Sequence, residues 1–200
     1  MKKVIENGGI TTERFNVPAF DLNEGEIIVL YLYNGAHFYN TEMFLKEIFC
    51  GEAKHPNILV HKKMTFVEHI KESNFRRIFW PITVGEYLRK NADLSSPFSK
   101  KIFEIEWMTN KIKVNTLAGT PRRLLALYAT LSKTKNIVFD LGGVDPAGCE
   151  FAMQVVQEAV KEGGSAILLD AFDKMKKYSS QFIAIELKDY PPEPKEKLSF

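Results

Sequence analysis

Asn136-Ile137-Val138-Phe139-Asp140, then Leu141-Gly142-Gly143-Val144-Asp145-Pro146, and then Ala166-Ile167-Leu168-Leu169-Asp170-Ala171-Phe172 decide the fold by their order. The first segment is a short apolar run ending in a carboxylate, and it reads as a buried strand. The second carries the Gly-Gly and Asp-Pro pairs of a turn. Beyond Pro146, apolar residues recur at helical spacing through Val155, Val156, Ala159 and Val160, and Gly163-Gly164 ends the pattern. A second apolar strand then closes on Asp170. Strand, turn, helix and strand in this order form the unit of a parallel sheet.

Working outward, residues 26–33 form a near-continuous apolar run of β-branched and aromatic residues, as in a strand buried on both faces. Asn34-Gly35 breaks it. A helix is expected from about Thr41, with Phe44, Leu45, Ile48 and Phe49 on its apolar side and Gly51 as C-cap. Residues 58–61 and 77–80 read as short strands, and 84–90 as a helix. Pro97 opens a further helix with Phe98, Ile102, Ile105, Met108 and Ile112 on one face. Thr120-Pro121 caps another, burying Leu124, Leu125, Leu127, Tyr128 and Leu131. Residues 181–187 alternate as a last strand, and the Pro-rich segment 191–197 is expected to be extended and mobile. The first 23 residues hold strand-like fragments without a clear period. The fold class expected is α/β with a largely parallel core sheet.

The chain has 200 residues and a formal net charge of +2, too small a surplus to argue for nucleic acid or a membrane surface. Cys50 and Cys149 lack metal-ligand spacing and read as thiols of a reducing compartment. The N-terminal residues lack the apolar core of a signal peptide, and no apolar run approaches the roughly 18 residues of a membrane span. The expected address is cytoplasmic, without direct membrane insertion.

Over most of its length, in order, the chain resembles the ATPase domain of ABC transporters, within the P-loop NTPase superfamily. Residues 22–30 resemble the turn and strand leading into the phosphate loop, and Tyr33-Asn34-Gly35-Ala36 resembles its start. Residues 82–88 are similar to the segment after the Q-loop. Leu117-Ala118-Gly119-Thr120-Pro121 looks like a worn signature motif. Asp140 and Asp145 fall where the Walker B and D-loop aspartates belong, and Phe172 occupies the switch-histidine position. The resemblance implies one domain over residues 1–190, with a shortened helical subdomain near 91–116 and a polar tail from 191 to 200.

The resemblance also implies which positions carry the chemistry, and here the residues depart from it. A phosphate loop closes backbone N–H groups on an anion, with a lysine for charge and a Ser/Thr for magnesium. In Asn34-Gly35-Ala36-His37-Phe38-Tyr39-Asn40 the lysine position holds Phe38, the preceding glycine His37, and the hydroxyl pair Tyr39 and Asn40. Leu141 stands where a catalytic glutamate should follow Asp140, so it cannot polarise a water. Ala118 replaces the signature serine, leaving Gly119 and the helix start behind Thr120. Ile78-Phe79-Trp80-Pro81 reads through the expected Q-loop without a glutamine. Phe79 and Trp80 read as core or, if exposed, as a docking patch. The bland readings are a strand-to-helix connection at 34–40, a strand-ending Asp140 and a capped core helix at Thr120.

His55, His61 and His69 lack zinc spacing and read as scattered surface residues. His37 and Asp140 share the sheet's carboxyl edge, an acid–base pair without a placed nucleophile. Arg122-Arg123 reads as a solvated helix start. No catalytic residue, metal or cofactor is expected, with ATP and magnesium the ligands to be tested. The main expectation is a catalytically inactive ABC-type domain serving an active ATPase subunit, a second copy of itself or a membrane permease as structural or regulatory partner. The alternatives are a nucleotide-binding module with an altered phosphate site and a free-standing binding protein.

Overall fold

The computed structural model describes residues 2–73, 75 and 79–188. Four short strands, Lys3–Asn7 (β1), Ile10–Thr11 (β2), Phe15–Val17 (β3) and Phe20–Asn23 (β4), lead into Ile27–Tyr31 (β5). The helix Phe38–Phe49 (α1) follows, then Ile58–Val60 (β6) and Thr65–Phe66 (β7). Helices Val84–Asn91 (α2), Phe98–Lys101 (α3) and Gly119–Leu131 (α4) precede Asn136–Phe139 (β8), Pro146–Lys161 (α5) and Ser165–Asp170 (β9). Gln181–Ala184 (β10) and Glu186–Leu187 (β11) come last.

The core is a five-stranded sheet in the order β10-β5-β9-β8-β7, every pair parallel. All six residues of β9 are buried, as a central strand covered on both faces requires. Side chains alternate between two apolar layers. Ile27, Val29, Ile137, Phe139, Ala166 and Leu168 face one, built with α4, α5 and the 84–117 region. Ile28, Leu30, Val138, Ile167 and Leu169 face the other, built with α1 and the N-terminal strands. Burying each such side chain contributes about 1.5–3 kcal/mol, and this outweighs the modest helix and strand propensities. The four N-terminal strands join β6 and β11 in two antiparallel sheets, β4-β1-β6 and β11-β3-β2.

Most elements fall where periodicity puts them, and the departures have physical causes. The C-cap of α1 is Cys50 rather than Gly51, which follows it at φ 73 with its N–H donating to the Ile48 carbonyl. Thr83 caps α2 with a full capping box, its hydroxyl taking the Glu86 N–H while the Glu86 carboxylate takes the Thr83 N–H. The helix expected from Pro97 to Ile112 lasts one turn, α3, and a 3₁₀ turn at Ile102–Glu104. Phe98, Ile102 and Met108 are still buried, so the apolar spacing serves an irregular path. Thr120 does not cap α4, whose N-cap is Ala118 without a side-chain bond. The expected strand at 77–80 and the tail from 191 lie wholly or partly outside the described residues; Phe79 and Trp80 are exposed. The last strand splits at buried Ile185, so that β10 joins the parallel sheet and β11 an antiparallel one.

Candidate functional site

The carboxyl edge of the parallel sheet gathers β5, β8 and β9, and their ends set the chemistry. Beyond β5, Tyr33 takes the left-handed conformation at φ 59, costly for a bulky residue, with its ring 4.2 Å from that of Tyr31. Asn34, Gly35, Ala36 and His37 are exposed, and so are Tyr39 and Asn40. Phe38 alone of this stretch turns partly inward, against the α1 layer. His37 lies 3.3 Å from the Arg14 guanidinium through Nδ1. It therefore does not form the acid–base pair with Asp140.

Asp140, at the end of β8, is 3 % exposed and fully engaged. Its Oδ2 accepts from Arg123 at 2.7 Å, and its Oδ1 accepts from the Gly142 N–H at 2.7 Å. The His69 Nε2 lies 3.0 Å from both oxygens; an ionised carboxylate only accepts, so Nε2 carries the proton. Arg123 also donates to the backbone carbonyls of Asp140 and, at 2.7 Å, Val67. Burial pushes the Asp140 carboxyl up, but the His69 bond and the Arg123 charge more than offset it and hold the group below its ordinary value. Arg123 is thus a buried clamp between the ends of β7 and β8, not a solvated residue. Arg122 reaches Glu72 at 3.8 Å.

Two further carboxylates crowd this edge. Glu42, on the buried side of α1, is 5 % exposed, and its Oε1 has no hydrogen-bond partner. Burial, reinforced by Asp140 and opposed by Arg123, pushes it up to about 7. Asp170, ending β9, is 7 % exposed and accepts from the Phe172 N–H at 3.2 Å. Burial pushes it up to about 6, with bonds from Phe172 and Ala171 opposing and Asp140 and Asp173 adding to the rise. The Arg123 guanidinium thus acts on two of these buried acids, paired with Asp140 and opposing the rise of Glu42.

Phe38, Leu141 and Phe172 line one cavity of about 650 Å³, shared with Val144, Cys149 and Met175. Across the 140–145 turn, the start of α4 approaches so closely that a Cβ on Gly119 would sit 1.8 Å from the Gly143 carbonyl oxygen. The Thr120 hydroxyl donates to Asp145, and the Asp145 N–H returns a bond at 3.2 Å. Asp145 also caps α5 by accepting from the Gly148 N–H at 2.9 Å. Gly119, Thr120 and Asp145 thus meet within the chain, with Leu117 buried beneath and Ala118 and Pro121 beside them.

Sequence reasoning placed Asp140, Asp145 and Phe172 on neighbouring loops and missed Arg123, His69 and Glu42. Two of these had a signal. Arg123 lies on the stripe of Leu127 and Leu131, and Glu42 on that of Leu45 and Phe49, so each is a charge at a core position. The His69–Asp140 contact is long-range and leaves no local pattern.

No family model and no curated protein matches the chain. Solved structures do. An ATP-binding protein of an ABC transporter from Pyrococcus furiosus superposes with a TM-score of 0.69 at 17% identity, covering 92% of this chain and 97% of that one. A metal-chelate-type ABC transporter in an inward-facing conformation gives 0.68 at 15%, covering 94% and 84%. The cbiO1 protein of Clostridium perfringens, part of the cbiONQ ABC transporter complex, gives 0.65 at 14%, covering 94% and 88%. The chain has the fold of an ABC transporter ATP-binding cassette.

Proposed function

We propose that the chain is a catalytically inactive ABC-type domain that serves an active ATPase or transporter complex as structural or regulatory partner. The observation that carries this reading is the state of Asp140, whose oxygens are taken by Arg123, His69 and the Gly142 amide. A metal-holding aspartate needs a free oxygen aimed at the ion. Phe38 and Leu141 line the neighbouring space with apolar surface. Buried Glu42 and Asp170 add negative potential where a phosphate would need positive. The residues present therefore do not fit ATP and magnesium in the cassette manner. Residues 34–40 serve as a strand-to-helix connection and 117–121 as a helix start docked on Asp145.

A binding role draws support from the surface. Phe75, Phe79 and Trp80 are 63 %, 61 % and 67 % exposed, with their rings tilted against one another in one cluster at centroid separations of 5.0–6.1 Å. Such a patch suits a protein partner, for which an ABC ATPase subunit, a second copy of this chain or a permease is proposed. The shortened helical region near 91–116 belongs to the same proposed single domain. Among the described residues no helix is long and apolar enough to cross a membrane.

Calorimetric titration with ATP and magnesium tests the reading, with a Phe38→Lys, Leu141→Glu double variant alongside. No heat is expected from either, because Arg123 still occupies Asp140 in both. Saturable heat from the wild type would replace this reading with that of a nucleotide-binding module with an altered phosphate site. Charge reversal at Asp145 is a poor probe of a partner interface, since that residue caps its own helix. Trp80→Ala is the cleaner variant.

A further inference from the structure

The three positions of Phe38, Leu141 and Phe172 do more than lack catalytic groups, because they converge on one concavity. Small-molecule sites typically enclose about 300–1,000 Å³, lined mostly by apolar side chains with a few placed polar groups. This cavity, at about 650 Å³, lies in that range. Phe38, Leu141, Val144, Cys149, Leu169 and buried Met175 are among its apolar lining. The acids on its wall differ in what they have left to offer. Asp140 is spent on Arg123, His69 and Gly142. Among the described residues Asp170 receives only backbone N–H groups of the turn that follows it, and no lysine or arginine is paired with it. Lys177 at the mouth is taken by Glu150 at 2.7 Å, and Lys174 is exposed there. A buried carboxylate in an apolar enclosure, with Asp140 and Asp173 as its charged neighbours, sits in a negative field that a cation relieves.

We propose that this cavity binds a small organic amine, its apolar body against Phe38, Leu141, Val144 and Met175 and its ammonium group on the Asp170 carboxylate. The proposal rests on the reading above in one respect: the space beside Phe38 must be free of nucleotide. An aromatic body suits the walls, since Phe38 and Phe172 are both among the lining side chains. The ammonium group would gain a charge-assisted hydrogen bond to a buried carboxylate, while a neutral isostere would keep the apolar contacts alone.

Naphthylmethylamine, naphthylmethanol and naphthoate share a ring system and differ in charge, so calorimetric titration of the full chain with each reads the recognition directly. The amine should bind one-to-one and at least about tenfold tighter than the alcohol. Asp170→Asn should abolish that preference while leaving the alcohol's affinity in place, and Leu141→Trp should block amine and alcohol alike by filling the cavity. Circular dichroism confirms folding of both variants; should Asp170→Asn unfold, the three-ligand comparison and Leu141→Trp still decide. Absence of saturable amine binding up to about 1 mM would overturn the proposal, as would equal affinity for amine and alcohol. Preference for naphthoate would overturn it too, by assigning recognition to the mouth lysines. Titration of the same sample with ATP and magnesium separates the two readings. Silence from both ligands sinks the amine site alone, whereas nucleotide heat beside amine heat sinks the inactive-partner reading alone.

Discussion

Replacing Arg123 by methionine isolates the buried clamp. The variant keeps the volume and apolar stem of the side chain but removes four donations, two to the Asp140 carbonyl, one to its carboxylate and one to the Val67 carbonyl. It leaves Asp140 ionised with His69 and the Gly142 amide as its only partners. Breaking a buried ion pair from one side costs about 3–5 kcal/mol, mostly the penalty of the charge left behind. For a chain of this length that corresponds to a fall in melting temperature of roughly 6–20 °C. Urea denaturation at constant pH measures the loss. Asp140→Asn, which strands the guanidinium instead, should cost a similar amount. The Arg123→Met, Asp140→Asn double variant removes both charges, and its loss should fall short of the sum by at least about 2 kcal/mol. A single-variant loss under about 1 kcal/mol, or a strictly additive cycle, would refute the clamp as a structural element.

Gly119→Ala places a Cβ 1.8 Å from the backbone oxygen of Gly143, so α4 must retreat from the 140–145 turn. A loss of about 1–3 kcal/mol or more is expected in chemical denaturation, and a neutral result would show that the contact yields freely. Thr83→Ala removes the hydroxyl of the α2 capping box and should cost about 1 kcal/mol by the same assay. Stability should depend on pH in an unusual direction. Glu42 is raised from 4.5 to about 7 and Asp170 from 3.8 to about 6, so across those windows the folded state binds the extra protons. Their effect is that unfolding free energy rises as pH falls from about 7 toward 4.5. Asp140 acts oppositely, since its lowered value means a contribution kept above 3.8 and lost as the medium becomes more acid. The chain should therefore be more stable at pH 5 than at pH 8, and Glu42→Gln should flatten that slope (about 7 is where Glu42 titrates). A profile that climbs steadily to pH 8 would contradict the burial of these acids.

Much of the frame was legible because its elements are stamped by local rules. The β8 and β9 runs end on Asp140 and Asp170, α5 starts at Asp145-Pro146, and Gly163 at φ 93 terminates it. Each signal lies within one element. What escaped depends on other elements. The apolar spacing from Phe98 to Ile112 matched a helix, yet those side chains reach the core from turns and 3₁₀ segments. Alternation over 181–187 persists because both halves are extended, and it cannot register that Ile185 swings the chain between sheets. At the site, the loop positions of Phe38, Leu141 and Phe172 could be read from order and spacing. Their convergence on a single cavity could not, since three strand ends must be aligned before it exists. Arg123 was misread because adjacency to Arg122 suggested a charged surface, while its helical phase put it with Leu127 and Leu131.

The strand order has a consequence for how the chain is made. β5 ends at Tyr31, and its two neighbours in the sheet begin only at Ser165 and Gln181. During synthesis from the N-terminus at about 5–20 residues per second, this apolar strand waits roughly 7–27 s for its first lateral partner. Over that interval Ile27 to Tyr31 is an unsatisfied edge emerging from the ribosome, while the antiparallel pairs β1–β4, β2–β3 and β1–β6 can already form without it. Sheets closed by such distant pairings fold slowly. Nascent chains halted before Ser165 should accordingly be sensitive to protease and bind chaperones. Release beyond Ala184, when β10 and β9 can flank β5, should turn them resistant in a single step.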